Sequence, residues 1–193
     1  MYPINYKMKK KGWMIVIKAI IFDLDNTLVY SDFANNIAYR EAVKNVIGAD
    51  LEICRTRITR DNIARQFPNL SADDMSKVIQ EKEHQYEIHI NKTILNTALV
   101  DALKYMKENN MSPMLLTYSS KHRAEQLLRY HGISNLFSAK YYKEDYEGKS
   151  KYKYATSTLG LKGSDIILFE NEQEGMKEAV CDGIIQKNII RFV

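Results

Sequence analysis

Apolar residues gather along this chain in two rhythms. Near the start, Ile15-Val16-Ile17 and Ala19-Ile20-Ile21-Phe22 form a nearly unbroken run, interrupted only by Lys18, that stops at Asp23-Leu24-Asp25-Asn26-Thr27. A run of this kind, ended by acidic and turn-forming residues, predicts a strand buried on both faces. From Asp32 to Ile47 the apolar positions Phe33, Ile37, Ala38, Ala42, Val43, Val46 and Ile47 fall at helical spacing, and Gly48 follows as a stop. A shorter helical piece around residues 60–66 ends ahead of Pro68. A third helix opens at Ser71-Ala72-Asp73-Asp74, a capping box with Asp in place of Glu, and runs through Met75, Val78 and Ile79 toward Ile90. Three helical patterns with no strand between them predict an all-helical insertion.

Beyond Thr97 the rhythm alternates. A helix carried by Ala98, Leu99, Ala102, Leu103 and Met106 ends near Asn109-Asn110, and a strand follows at residues 114–117. Helices at 121–130 and 152–159 lead to a strand at 166–169, a helix at 174–180 and short apolar pieces at 184–185 and 189–193. That order predicts an α/β fold, a Rossmann-like parallel sheet with helices on both faces and right-handed crossovers. The expected organisation is a core from residues 14–30 and 97–193, a helical cap at 31–96 and a basic N-terminal extension at 1–13.

Composition narrows the class. With 193 residues, 45% hydrophobic and 27% charged, the chain can bury one core and support an insertion. The formal charge of +4 comes from Lys7, Lys9, Lys10 and Lys11; without them 24 bases face 24 acids, so a nucleic-acid partner is not expected. Tyr141-Tyr142-Lys143 through Lys153-Tyr154 interleaves basic and aromatic residues in a manner that can stack on bases, but Glu144, Asp145 and Glu147 dilute it. Cys54 and Cys181 form no metal or disulfide spacing, and reduced thiols make a cytoplasmic location the expectation. Lys9-Lys10-Lys11 before the first apolar run imitates a secretory leader, yet Lys18 breaks the run and it is too short to span a bilayer, so no membrane role is expected.

Candidate chemistry concentrates where the predicted strands end. In open α/β sheets ligands bind beyond the carboxyl ends of the strands. Asp23 and Asp25, at i and i+2, can face the same way and share a cation and a phosphate, with Thr27 as a neutral hydrogen-bond partner. A polar turn after a core strand is the competing reading. A calcium loop starting at Asp23 is excluded, because its sixth and twelfth positions are Leu28 and Ala34 rather than Gly and Glu.

Ile20-Ile21-Phe22-Asp23-Leu24-Asp25-Asn26-Thr27-Leu28 resembles the first motif of the haloacid dehalogenase superfamily. Met114-Leu115-Leu116-Thr117-Tyr118-Ser119-Ser120 resembles its second, and Asp165-Ile166-Ile167-Leu168-Phe169-Glu170-Asn171-Glu172-Gln173-Glu174-Gly175 its last. The resemblance implies a phosphatase that binds Mg2+ through Asp23, Asp25, Glu170 and Asn171 and hydrolyses a small-molecule phosphate monoester. In that scheme Asp23 attacks phosphorus and Asp25 is general acid and base. Thr117 and a lysine, Lys149 or Lys151 in that order of expectation, bind the phosphoryl group, with Thr27 and Ser119 in support. Asp25 implies phosphate chemistry rather than dehalogenation. Two departures stand out: Asn171 occupies a position that is usually Asp, and no proline follows the candidate lysines. They motivate the alternative of an impaired relative that binds a phosphorylated metabolite or partner. Arg40, Arg55, Arg57 and Arg60 of the cap are candidate contacts for an anionic leaving group or a solvated face, and His84 and His89 are expected at the surface.

Overall fold

The structure, a computed structural model, describes residues 6–10, 13–52 and 56–192. The expectations for Cys54 and Arg55, and part of the basic extension, lie outside those residues. The chain divides into two units, Met1–Leu28 with Leu95–Val193, and Val29–Ile94.

The first unit opens with a hairpin, β1 (Tyr6–Lys10) antiparallel to β2 (Trp13–Ile17). The single long strand expected from the first apolar run is thus broken at Lys18, and only β3 (Ala19–Phe22) enters the main sheet. Lys18 acts as the break because both its ends are tied to Asp165: its N–H donates to the Asp165 carbonyl at 2.8 Å and its ammonium lies 2.8 Å from the carboxylate. After α4 (Thr97–Glu108), strands and helices alternate as β6 (Pro113–Leu116), α5 (Lys121–Tyr130), β7 (Ala139–Tyr141), α6 (Lys151–Lys153), β8 (Ile166–Phe169), α7 (Gln173–Cys181) and β9 (Ile189–Ile190).

The five strands pair in parallel in the order β7-β6-β3-β8-β9. All four residues of the central strand β3 are buried, as expected for a strand covered on both faces. Ile21, Leu116, Leu168, Ile166, Tyr152, Ala155 and Ala179 form a core cluster, and the Phe22 and Phe169 rings stack at 4.5 Å. Two elements differ from expectation. β7 is a strand the sequence does not predict, sharing only Tyr141 with the basic and aromatic stretch, and the helix expected at 152–159 is three α-helical residues that widen into a π turn at Tyr154–Thr158.

The second unit is bounded by the two-residue strands β4 (Val29–Tyr30) and β5 (Ile94–Leu95), and contains α1 (Asp32–Ile47), α2 (Arg60–Gln66) and α3 (Ala72–Ile88). Tyr39, Ala42 and Val43 of α1 pack with Leu51, Ile58, Ile63 and Val78. Gly48 ends α1 with φ 68°, the left-handed conformation that glycine adopts without a Cβ penalty. Thr59 and Asn62 form a full capping box on α2. Arg57 bonds Asp32 at 2.7 Å, and His89 contacts Glu41 at 2.8 Å. Lys82 is buried between the rings of Tyr39 and Tyr86.

Candidate active site

The register of the sheet assembles the site. Phe22 lies opposite Leu115 on one side and Phe169 on the other, so the residues just past β3, β6 and β8 reach one edge. Each is held by one further ladder bond: Asp23 N–H to the Phe169 carbonyl at 3.1 Å, Thr117 N–H to Tyr141 at 3.1 Å, and Glu170 N–H to Ile190 at 3.2 Å. Asp23, Thr117 and Glu170 are all buried, so a rigid core presents polar groups at its carboxyl edge.

A buried ion cluster occupies this edge. The Lys151 ammonium donates to Asp23 Oδ1 at 2.6 Å and to Glu170 Oε2 at 3.1 Å, with Lys151 itself only 3% exposed. Burial alone would lower the lysine's affinity for its proton, but Asp23 and then Glu170 outweigh it and hold Lys151 charged above the ordinary lysine range. Burial pushes the Asp23 carboxyl upward; Lys151 opposes this and Glu170 adds to it. Two carboxylates thus share one ammonium.

Asp25 takes a different set of partners. Arg123 donates to Oδ1 at 2.7 Å and the Ser119 hydroxyl to Oδ2 at 2.6 Å. Ser119 is in turn fixed by its N–H, which donates to Thr117 Oγ1 at 3.1 Å. Thr117 is 1% exposed, so its hydroxyl also braces the loop after β6. Arg123 was not singled out from the sequence. Its signal is a basic first turn, Lys121-His122-Arg123, at the end of a helix where the macrodipole favours acids.

At the end of β8, Glu170 spends both oxygens on protein donors: Oε2 on Lys151 and the Tyr152 hydroxyl, and Oε1 on the Glu172 N–H at 2.9 Å. Gly175 makes room for it, since a Cβ there would lie 2.6 Å from Oε2. Asn171 serves as a brace. Its N–H donates to Thr27 Oγ1 at 3.2 Å, its amide nitrogen to the Asn26 carbonyl at 3.2 Å, and its amide oxygen accepts from the Phe192 N–H at 2.8 Å. Asn26 sits at φ 58° and donates to Glu172 Oε1 at 2.7 Å.

The structure therefore gathers Asp23, Asp25, Thr27, Thr117, Ser119, Lys151, Glu170 and Asn171 at one edge, but not Lys149. The Lys149 ammonium bonds Thr158 Oγ1 at 3.0 Å on the exposed surface. The turn explains this: Glu147 and Gly148 take left-handed φ of 52° and 80°, and Ser150 caps α6 by accepting from Lys153 N–H at 2.9 Å, which leaves Lys151 facing inward. Tyr142, Tyr146 and Tyr152 of the basic and aromatic stretch are buried rather than displayed.

The donors fit magnesium in a reduced form of the expected set. That ion takes one or two carboxylates, keeps several waters and relies on substrate phosphate. Asp23 engages only Oδ1, and burial, the largest influence on it, pushes its carboxyl upward, which a cation at the second oxygen would oppose. The side chains of Asp25, Glu170 and Asn171 are committed to protein partners. Among the described residues no three His, Cys, Asp or Glu side chains converge as a metal site, and no helix is long and apolar enough to cross a membrane.

Comparison with known proteins agrees with this architecture. A family model described as haloacid dehalogenase-like hydrolase matches residues 17–179. Among solved structures, a predicted phosphoglycolate phosphatase from Haemophilus somnus superposes with a TM-score of 0.72 at 19% identity, covering 86% of this chain and 82% of that one. A haloacid dehalogenase-like hydrolase from Streptococcus pneumoniae gives 0.72 at 22% identity, covering 87% and 82%. CbbY from Rhodobacter sphaeroides, in complex with phosphate, gives 0.71 at 19% identity, covering 86% and 83%. These structures share the parallel-sheet fold.

Proposed function

The chain belongs to the haloacid dehalogenase-like hydrolases, and on that footing we propose that it is a magnesium-dependent phosphatase, releasing phosphate from a small-molecule monoester through an aspartyl-phosphate on Asp23. The observation that carries this reading is the buried Asp23 carboxylate with one oxygen on Lys151 and the other outside that bond. Asp25, two residues on and held by donors of its own, supports it as the proton-handling partner.

Attack on a phosphoryl group by a carboxylate is opposed by like charge. Lys151 offsets part of that charge beside the nucleophile. In the first step an Asp23 oxygen bonds to phosphorus and the bond to the leaving oxygen breaks, the electron pair going to that oxygen and the proton coming from Asp25. In the second step a water oxygen attacks phosphorus, the bond to Asp23 breaks, and the water's proton passes to Asp25. Dividing the displacement in this way makes two easier steps of one. Hydrolases of this family generally use Mg2+; here Asp23 and the main-chain carbonyl of Asp25 would hold it, and it would supply positive charge at the phosphoryl oxygens. Thr117 and Ser119 keep the loop after β6 in shape beneath the phosphate.

The test is phosphate release from a panel of phosphorylated metabolites, with Mg2+ and with EDTA. Turnover that needs Mg2+ and vanishes in Asp23→Asn is the expected result; turnover that survives in Asp23→Asn sinks the proposal. A second reading, a binder without turnover, is favoured by the commitment of Glu170 and Asn171 to protein donors. Phosphate binding by a native chain that hydrolyses no member of the panel would select it.

A further inference from the structure

Lys151 carries the positive charge beside Asp23, yet its own segment is poorly suited to hold it. It is the first residue of a three-residue α-helix that widens at once into a π turn, and no proline stiffens it, since Tyr152 follows. A helix so short has little intrinsic stability. Something outside the segment must fix the ammonium against Asp23.

Tyr118 meets that need through three contacts. Its hydroxyl accepts the Lys151 N–H at 3.1 Å and donates to Glu178 Oε2 of α7 at 2.7 Å, so one oxygen joins the end of β6, the start of α6 and α7. Its ring centroid lies 5.2 Å from the Lys151 ammonium, within the range of a cation–π contact. The ring also meets Tyr146 edge-on at 5.8 Å, and the Tyr146 hydroxyl donates to the Thr117 carbonyl at 2.9 Å. Burial and then Glu178 push the Tyr118 hydroxyl up to about 12, so it remains a donor at neutral pH. The Tyr152 ring centroid lies 4.9 Å from the same ammonium.

We infer that Tyr118 is a positioning residue: its hydroxyl anchors the main chain at Lys151 and its ring covers the ammonium, holding the charge where a phosphoryl group on Asp23 would need it. Core packing does not account for the side chain, which is 45% exposed. With its centroid 5.2 Å from an ammonium that is itself buried, the partly exposed ring would help to keep water from the ion cluster, which strengthens each charge interaction. The consequence for anion binding deepens the phosphatase reading and rests on it; the placement of the ammonium does not.

Two measurements test this on the full chain. In protein carrying 15N-lysine, a shielded ammonium in an ion pair exchanges slowly enough to give a proton–nitrogen signal, assigned to Lys151 by its absence in Lys151→Met. The signal is expected in the native chain, is expected to weaken in Tyr118→Phe, which keeps the ring but drops the hydroxyl's hold on the Lys151 main chain, and is expected to be lost in Tyr118→Leu. Its persistence in Tyr118→Leu would overturn the inference. The dissociation constant for inorganic phosphate should weaken about threefold in Tyr118→Phe and about tenfold in Tyr118→Leu, with the melting temperature of both variants near native. Equal affinity in native and Tyr118→Leu also overturns it. A native chain that neither binds phosphate nor hydrolyses the panel defeats the proposed function, and the lysine signal still decides the role of Tyr118.

Discussion

Two strands of one sheet, β3 and β8, end side by side with carboxylates, and the two ends are built for different work. Asp23, after β3, gives one oxygen to Lys151 and keeps the other outside that bond. Glu170, after β8, gives both oxygens to protein donors and is followed by Asn171, whose amide ties the β3 loop to Phe192. The contrast separates attack from architecture at these two strand ends: Asp23, with an oxygen to spare, can attack phosphorus, whereas Glu170, with both oxygens on donors, holds other groups in place. Burial makes the difference costly to reverse, because each committed oxygen would have to lose its partner in a dry environment.

The comparison breaks most visibly if the reactive end is removed. Asp23→Asn should reduce phosphate release by about 10⁴-fold or more, the usual scale for loss of a covalent nucleophile. Its fold should persist at some cost in stability, since the Asn carboxamide oxygen can still accept from Lys151 although the buried ammonium loses the charge of one of its two carboxylates. Kinetics and circular dichroism of the same preparation check both halves. Glu170→Ala should do the reverse in the first instance, destabilising the chain by about 3 to 5 kcal/mol because the buried Lys151 loses one of its two carboxylates. Denaturant unfolding measures it; a cost below about 1 kcal/mol would mean that the β8 end is not the structural partner.

The strands that carry this division are legible in the sequence, although the division itself is not. β3, β6 and β8 announce themselves as apolar runs that stop at polar residues, and buried parallel strands are written that way. What escaped was set by partners distant in sequence. β7 is three partly buried residues including Lys140, with no alternation to read. The break at Lys18 depends on Asp165, far along the chain. Lys149, Lys151 and Lys153 alternate through one segment, and only the cap at Ser150 decides which of them faces inward. The hydrogen bonds of Asn171 to Asn26 and Phe192 likewise cannot be read from residue type and spacing. The same holds for Arg123 on Asp25, although its basic helix start was a visible oddity.

A smaller perturbation sharpens the contrast from within the β8 end. Gly175→Ala inserts a Cβ 2.6 Å from Glu170 Oε2, too close to stand, so the carboxylate must leave Lys151 or the start of α7 must shift. Overpacking of this kind costs about 1 to 3 kcal/mol. If Glu170 is architectural, the melting temperature falls and phosphate release declines with it as Lys151 loosens. An unchanged melting temperature would show that Glu170 can move without consequence.

The finest test exchanges one atom. If Asn171 were a metal ligand weakened by evolution, Asn171→Asp would restore charge and tighten Mg2+ binding. The bonding pattern argues the opposite: the amide nitrogen donates to the Asn26 carbonyl, and a carboxylate oxygen in its position would face that carbonyl with no proton between them. The variant is therefore expected to lose about 1 kcal/mol of stability from the broken brace and to leave the Mg2+ dissociation constant, read by calorimetry, within about threefold of native. Loss of stability with unchanged affinity keeps Asn171 on the architectural side. A tenfold gain in affinity would move the β8 end to the reactive side, because only an oxygen turned toward the cation could produce it.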